Sequence, residues 1–147
     1  REDAMIDLDM EEALGACHCG AVKFRVRFSK GLRTARRCNC SFCRMRGAVA
    51  VSAPLDGVEV LQGSNALSVY QFNTGAAKHY FCSKCGIYTH HQRRSNGNEF
   101  GVNVACLEGV SPFDFAEVKV LDGVRHPSDF GGNARLAGVL KFAPNEE

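Results

Sequence analysis

The chain has 147 residues, about the size of one domain, and 18 Lys and Arg against 16 Asp and Glu leave a net charge of only +2. That charge gives no whole-molecule field to recruit nucleic acid or a membrane surface, and Leu, Ile, Val and Phe, at about 24% of the chain, exceed the roughly 20% below which disorder is expected. No apolar run approaches the roughly 20 residues of a membrane helix and residues 1–12 are acidic without a signal-like apolar stretch, so the expectation is a soluble, cytoplasmic protein.

Taken in chain order, the elements read as strands separated by turns, with little helix. Val22, Phe24, Val26 and Phe28 alternate with Lys23, Arg25 and Arg27, the period-2 pattern of a strand with one buried face. Shorter β-rich runs follow at residues 48–51, 58–61, 67–72, 79–81, 100–104 and 117–121. Asp56-Gly57, Gly63-Ser64-Asn65, Thr74-Gly75, Ser95-Asn96-Gly97-Asn98, Glu108-Gly109 and Asp122-Gly123 punctuate them as turns. Many short strands divided in this way predict an all-β sandwich or partly open barrel. Residues 123–147, with Pro127, Gly131-Gly132 and Pro144, are expected to form an irregular C-terminal extension packed on the same domain.

Seven of the eight cysteines fall into three clusters, Cys17-His18-Cys19, Cys38-Asn39-Cys40-Ser41-Phe42-Cys43 and Cys82-Ser83-Lys84-Cys85, while Cys106 stands alone. A disulfide across a Cys-x-Cys would close a small, strained ring, whereas two thiolates at that spacing converge readily on one ion. In a reducing compartment such clusters read as zinc ligands. A closed structural site takes four ligands, and two pairs are each followed by a glycine that lets the backbone bend around the sulfurs: Cys17 and Cys19 before Gly20, Cys82 and Cys85 before Gly86. Cys38, Cys40 and Cys43 remain as a three-ligand site with an open fourth position, the form that substrate binding or catalysis requires.

The ordered set Gly15-Ala16-Cys17-His18-Cys19-Gly20-Ala21-Val22-Lys23-Phe24, Cys38-Asn39-Cys40-Ser41-Phe42-Cys43-Arg44 and Phe81-Cys82-Ser83-Lys84-Cys85-Gly86 resembles the glutathione-dependent formaldehyde-activating enzyme family, or CENP-V/GFA domain. The resemblance spans residues 13–122 and includes the strand and turn Val102-Asn103-Val104-Ala105-Cys106-Leu107-Glu108-Gly109. It implies a mainly β, Mss4-like fold stapled by zinc, with two zincs per chain, the first on the outer pairs and the second on the triad. The implied activity is that of a carbon-sulfur lyase, adding glutathione to formaldehyde to give S-(hydroxymethyl)glutathione. Its partners are then a small-molecule thiol and an aldehyde. Because thiols add readily to formaldehyde unaided, a glutathione-binding carrier is the alternative.

A tripeptide thiol carries two carboxylates, so its site should offer cations beside the metal. Arg33, Arg36, Arg37, Arg44 and Arg46 crowd the triad in sequence, and Arg44 and Arg46, which follow Cys43 most closely, are the candidate contacts. The other reading of these arginines is a solvated basic loop, or a zinc module docking on nucleic acid or an acidic protein; the absence of Trp and of aromatic interleaving argues against single-strand binding. His90 and His91 point to opposite faces if they lie on one strand, so at most one faces the site. His18 duplicates a position that four cysteines already fill, Cys106 reads as a small buried hydrophobe, and Phe42 either walls a pocket or anchors its loop.

Overall fold

The protein is described from a computed structural model covering residues 6–94, 96–125 and 135–146; the expected turn residue Ser95 and the tail positions Pro127, Gly131 and Gly132 lie outside the described residues. Strand β1 (Glu12–Ala16) lies antiparallel to β2 (Lys23–Arg27), where the alternation seen in the sequence is realised: Phe24 and Val26 are fully buried and Lys23, Arg25 and Arg27 face solvent. Gly15 is required in β1 because a Cβ there would stand 2.5 Å from the ring of Phe24. After β3 (Arg36–Cys38) comes the single α-helix among the described residues, α1 (Cys43–Arg46), ended by Gly47 at φ +72°. Then follow β4 (Ala50–Pro54), β5 (Val58–Gln62), β6 (Leu67–Tyr70), β7 (Lys78–Cys82), β8 (Tyr88–Gln92), β9 (Glu99–Asn103), β10 (Glu117–Leu121) and β11 (Leu136–Lys141).

Two sheets result. The smaller has the order β1-β2-β5; the larger runs β11-β10-β3-β4-β9-β8-β7-β6. All pairings are antiparallel except β10 with β3, which is parallel. The core joins Val22, Phe24 and Val26 of the small sheet region to Val51, Ala53, Val102 and Val104 of the large one, with Leu32 completing it. Each of these larger side chains contributes about 1.5–3 kcal/mol by leaving water. No helix among the described residues is long and apolar enough to cross a membrane.

The mainly β class expected from the sequence is the class observed. Four strands escaped the list of β-rich runs: β1, β3, β8 and β11. The last corrects the expectation of an irregular tail, since residues 136–141 pair along β10 even though every one of them is exposed. Backbone ladder bonds hold this strand where side-chain burial does not, which is why no buried-face pattern announced it.

That contrast makes a test. Phe24→Ala should lower unfolding free energy by about 3–5 kcal/mol, whereas Leu140→Ala on the exposed strand should cost less than about 1 kcal/mol, both read from urea denaturation. Equal costs would place β11 in the core.

Candidate metal and substrate site

Two turns, each ending in a left-handed glycine, bring the outer cysteines together. In the first, Gly20 donates to the Cys17 carbonyl (3.1 Å) and adopts φ +79°; in the second, Gly86 donates to the Cys82 carbonyl (2.7 Å) and also adopts φ +79°. Neither glycine is crowded, so the left-handed backbone and not lack of space demands it. The four sulfurs lie within 4.8 Å of one another, with Cys17 to Cys19 at 3.6 Å and Cys19 to Cys82 at 3.8 Å. Sulfurs about 2.3 Å from one tetrahedral ion stand about 3.8 Å apart, so this donor set fits a metal. Backbone N–H groups support the sulfurs: Val22 donates to Cys17 Sγ at 3.3 Å, and the N–H groups of Cys19 and Ile87 hold the Cys85 thiol down to about 6. His18 is exposed and outside the cluster.

The central triad is assembled differently. Cys38 ends β3, Cys40 lies in the loop, and Cys43 opens α1; their sulfurs also converge within 4.8 Å. The N–H of Cys40 donates to Cys38 Sγ at 3.5 Å and that of Cys43 to Cys40 Sγ at 3.3 Å. Hydrogen bonds with Cys38 and Cys43 hold the Cys40 thiol far below its ordinary range, and those with Cys38 and Cys40 push Cys43 far above it, because like charges this close oppose one another unless a cation joins them. The loop is tied down from across the sheet: Asn39 Oδ1 accepts from the N–H of Gly123 (2.8 Å) and Val124 (3.3 Å).

The triad opens into a cavity of about 490 Å³ rich in cations. Arg36, Arg37, Arg44 and Arg46 line it as the sequence placed them near the triad, while Arg33 turns away to pair with Asp9 at 2.9 Å. Arg93 and Arg94, just beyond β8, and Arg135, just before β11, join them from distant sequence. Arg36 is buried, donates to Ser52 Oγ at 2.8 Å, and is lowered to about 10 by that burial, so its role is to hold β3 against β4. Arg44 is exposed at the rim.

Arg46 lies inside. One guanidinium nitrogen contacts His79 Nδ1 at 3.0 Å, the other donates to Cys43 Sγ at 3.7 Å, and the plane stacks 3.7 Å over the Tyr88 ring. Because arginine only donates, His79 Nδ1 accepts and the neutral ring carries its proton on Nε2. Desolvation and the Arg46 charge lower His79 to about 4. Phe42 packs against His79 (4.6 Å), Tyr70 (5.4 Å) and Phe72 (5.5 Å), so it both walls the cavity and anchors the loop.

The two adjacent histidines separate as strand alternation requires. His91 faces the cavity, with Tyr88 Oη 2.6 Å from its Nδ1, whereas His90 stacks on Tyr80 (4.7 Å) within the core and is lowered to about 4 by burial. His79, absent from the sequence-derived candidates, pairs directly across from His91. The hairpin closed by the Cys82–Gly86 turn was the signal that could have found it. Cys106 is buried, donates to the Tyr88 carbonyl at 3.4 Å and is pushed up to about 12 by desolvation, as a small core residue would be.

Gly123 offers a way to disturb only the triad. A Cβ at this position would collide with Cys38 Sγ and come within 2.8 Å of Cys40 Cβ. Gly123→Ala should therefore weaken metal uptake at the triad by about tenfold or more while the outer quartet keeps its metal, read by metal content and chelator competition. Equal weakening at both clusters would show that the loop after β10 does not shape the triad.

Residues 12–118 match the family described as glutathione-dependent formaldehyde-activating enzyme. A curated relative from Halomonas elongata, provisionally named as such an enzyme, is 38% identical over 80 residues, 48% of this chain and 50% of that protein. The chain thus spans about half the length of that relative. The crystal structure of a Rhodobacter sphaeroides protein is 58% identical and superposes with a TM-score of 0.72, covering 73% of this chain and 98% of that one. The cysteine order, the mainly β, Mss4-like architecture and the extent of the match together establish that the chain belongs to the glutathione-dependent formaldehyde-activating enzyme family.

Proposed function

We propose that the chain adds a low-molecular-weight thiol of the glutathione type to formaldehyde or a related aldehyde at the Cys38, Cys40 and Cys43 centre, with zinc at both cysteine clusters. The unequal sulfur count supports this reading: four thiols would close the outer site, three would leave the inner one open, and among the described residues the inner three line an arginine-rich cavity. Zinc held by three thiolates would supply a soft acceptor that favours a fourth sulfur and keeps it deprotonated at neutral pH.

The chain's own residues do the rest. Arg44 at the rim and Arg46 beside Cys43 bind the carboxylates of the incoming thiol and so fix where its sulfur lies. Arg46 also orients His79, whose Nε2–H remains to donate a hydrogen bond to the oxygen on which charge develops. In the addition a carbon–sulfur bond forms, the carbonyl π bond opens, and the proton lost by the thiol ends on oxygen. Nothing is oxidised or reduced. The arginines and the loop bring two reactants together, and proximity supplies much of the acceleration.

The test pairs two variants. Wild-type protein purified without oxygen should carry about two zincs and bind glutathione; Cys40→Ser should fall to about one zinc and lose glutathione while melting near the wild-type temperature. Cys85→Ser should lose the other zinc together with its cooperative melt. Adduct formation, compared with the uncatalysed rate at equal free glutathione, should be faster with wild type; an equal rate would make the protein a carrier. Indifference to glutathione combined with binding to DNA, or equal loss of stability in the two variants, would overturn the proposal.

A further inference from the structure

Beside the three sulfurs, their cavity holds two imidazoles that strand register brings face to face. His79 of β7 pairs with His91 of β8, and the rings stack with centroids 5.2 Å apart and planes 24° from parallel. Each ring is held at one nitrogen. Arg46 engages His79 Nδ1 at 3.0 Å, and the Tyr88 hydroxyl engages His91 Nδ1 at 2.6 Å. The two holding groups belong together, since the Arg46 guanidinium lies 3.7 Å over the Tyr88 ring. Both Nδ1 edges therefore turn toward this pair and both Nε2 edges away from it.

Those outer edges are open. Among the described residues Arg46 Nε is the one sealed side-chain nitrogen or oxygen without a hydrogen-bond partner. The two Nε2 atoms also make no hydrogen bond there, so they face open space, and the cavity that both histidines line is the one lined by Cys38, Cys40 and Cys43. The other terminal nitrogen of Arg46 is 3.7 Å from Cys43 Sγ, which leaves the pair of rings one guanidinium away from the sulfurs.

The same contacts fix the protons. The Tyr88 hydroxyl is 3.3 Å from the Gly101 carbonyl, beyond the usual O–H···O range, so its proton lies on the shorter bond to His91 Nδ1 and His91, like His79, carries its own on Nε2. Burial and the Arg46 charge hold His91 well below the ordinary histidine range, so the ring is neutral at pH 7. Its seat is close: a Cβ on Gly101 would collide with the ring carbon between the two nitrogens. Tyr88 is itself buried, and its carbonyl accepts from Asn103 Nδ2 at 2.8 Å.

We propose that His91 Nε2–H acts beside His79 Nε2–H as a second donor to the carbonyl oxygen of the aldehyde, with Tyr88 as the residue that positions it. The inference rests on the thiol-addition reading above and adds a residue to its machinery. Two N–H donors that each reach one oxygen at about 2.9 Å stand up to about 5.8 Å apart, a span that rings stacked at 5.2 Å meet. As the carbon–sulfur bond forms, the π electrons move onto that oxygen, both imidazoles keep their protons, and the proton lost by the thiol ends on the oxygen. His91 does not hold the thiol, so its loss belongs in kcat and not in glutathione binding.

Imidazole nitrogen shifts of the zinc-loaded protein test the arrangement without kinetics. Both rings should be neutral with the proton on Nε2, and Tyr88→Phe should leave His79 so while His91 divides between its two tautomers. His91 protonated on Nδ1 in the wild type, or unmoved by Tyr88→Phe, would overturn the inference. With glutathione and formaldehyde, the rate above the uncatalysed reaction should fall about tenfold or more in His91→Leu and recover most of that loss in His91→Gln, whose amide replaces the Nε2–H. Glutathione affinity should stay within about twofold of wild type in both. Should His91→Leu lose its zinc, His91→Gln and the wild-type shifts decide. An unchanged rate in His91→Leu, an equal loss in a folded His91→Gln, or weakened glutathione binding would overturn the inference and leave the function reading standing, because wild type would still outpace the uncatalysed reaction. A wild type no faster than that reaction would overturn both.

Discussion

Four thiols from distant parts of the matched segment share one small volume, Cys17 and Cys19 just after β1 of the three-stranded sheet and Cys82 and Cys85 at the turn between β7 and β8 of the eight-stranded one. Such an approach is unfavourable for bare sulfurs, which must shed water and cannot all be charged side by side. It is favourable around a cation. A cation shared by the four thiols would tie the two sheets together at this end of the molecule, and two left-handed glycines make the approach sterically feasible. Once the Cys82 turn is fixed there, the hairpin β7–β8 is in register and His79 stands opposite His91.

The inner centre is built on that frame but is governed by access. Its sulfurs sit where β3 ends and α1 begins, a position that exposes one side of the cluster to an arginine-lined cavity. Phe42, Arg46, Ala48 and His79 line this space and a second cavity as well.

Much of this was legible in the sequence. The Cys-x-Cys-Gly and Cys-x-x-Cys-Gly patterns carry their own turn geometry, and Phe24 and Val26 declare a buried face through strict alternation. Other features were hidden for definite reasons. Strand β1, Glu12–Ala16, is made of Glu, Ala, Leu and Gly, residues with weak strand preference, because a glycine must lie under Phe24. Strand β3 hides a buried charge, Arg36, that composition assigns to the surface. His79, Arg93, Arg94, Gly123 and Arg135 reach the cavity through strand pairing over long separations, which local pattern does not encode.

The parallel pairing of β3 with β10 has one further outcome. Parallel neighbours end at the same edge of a sheet, so the chain leaving β10 must emerge beside the chain leaving β3, and Leu121 to Val124 close over Asn39 and Cys40. The family match stops at residue 118, just short of this segment. The three triad cysteines thus lie inside the matched segment, while Asp122, Gly123, Val124 and Arg135, which line the same cavity, lie beyond it. Sequence changes confined to the segment after β10 would therefore reach the triad's cavity without replacing any of its three sulfurs.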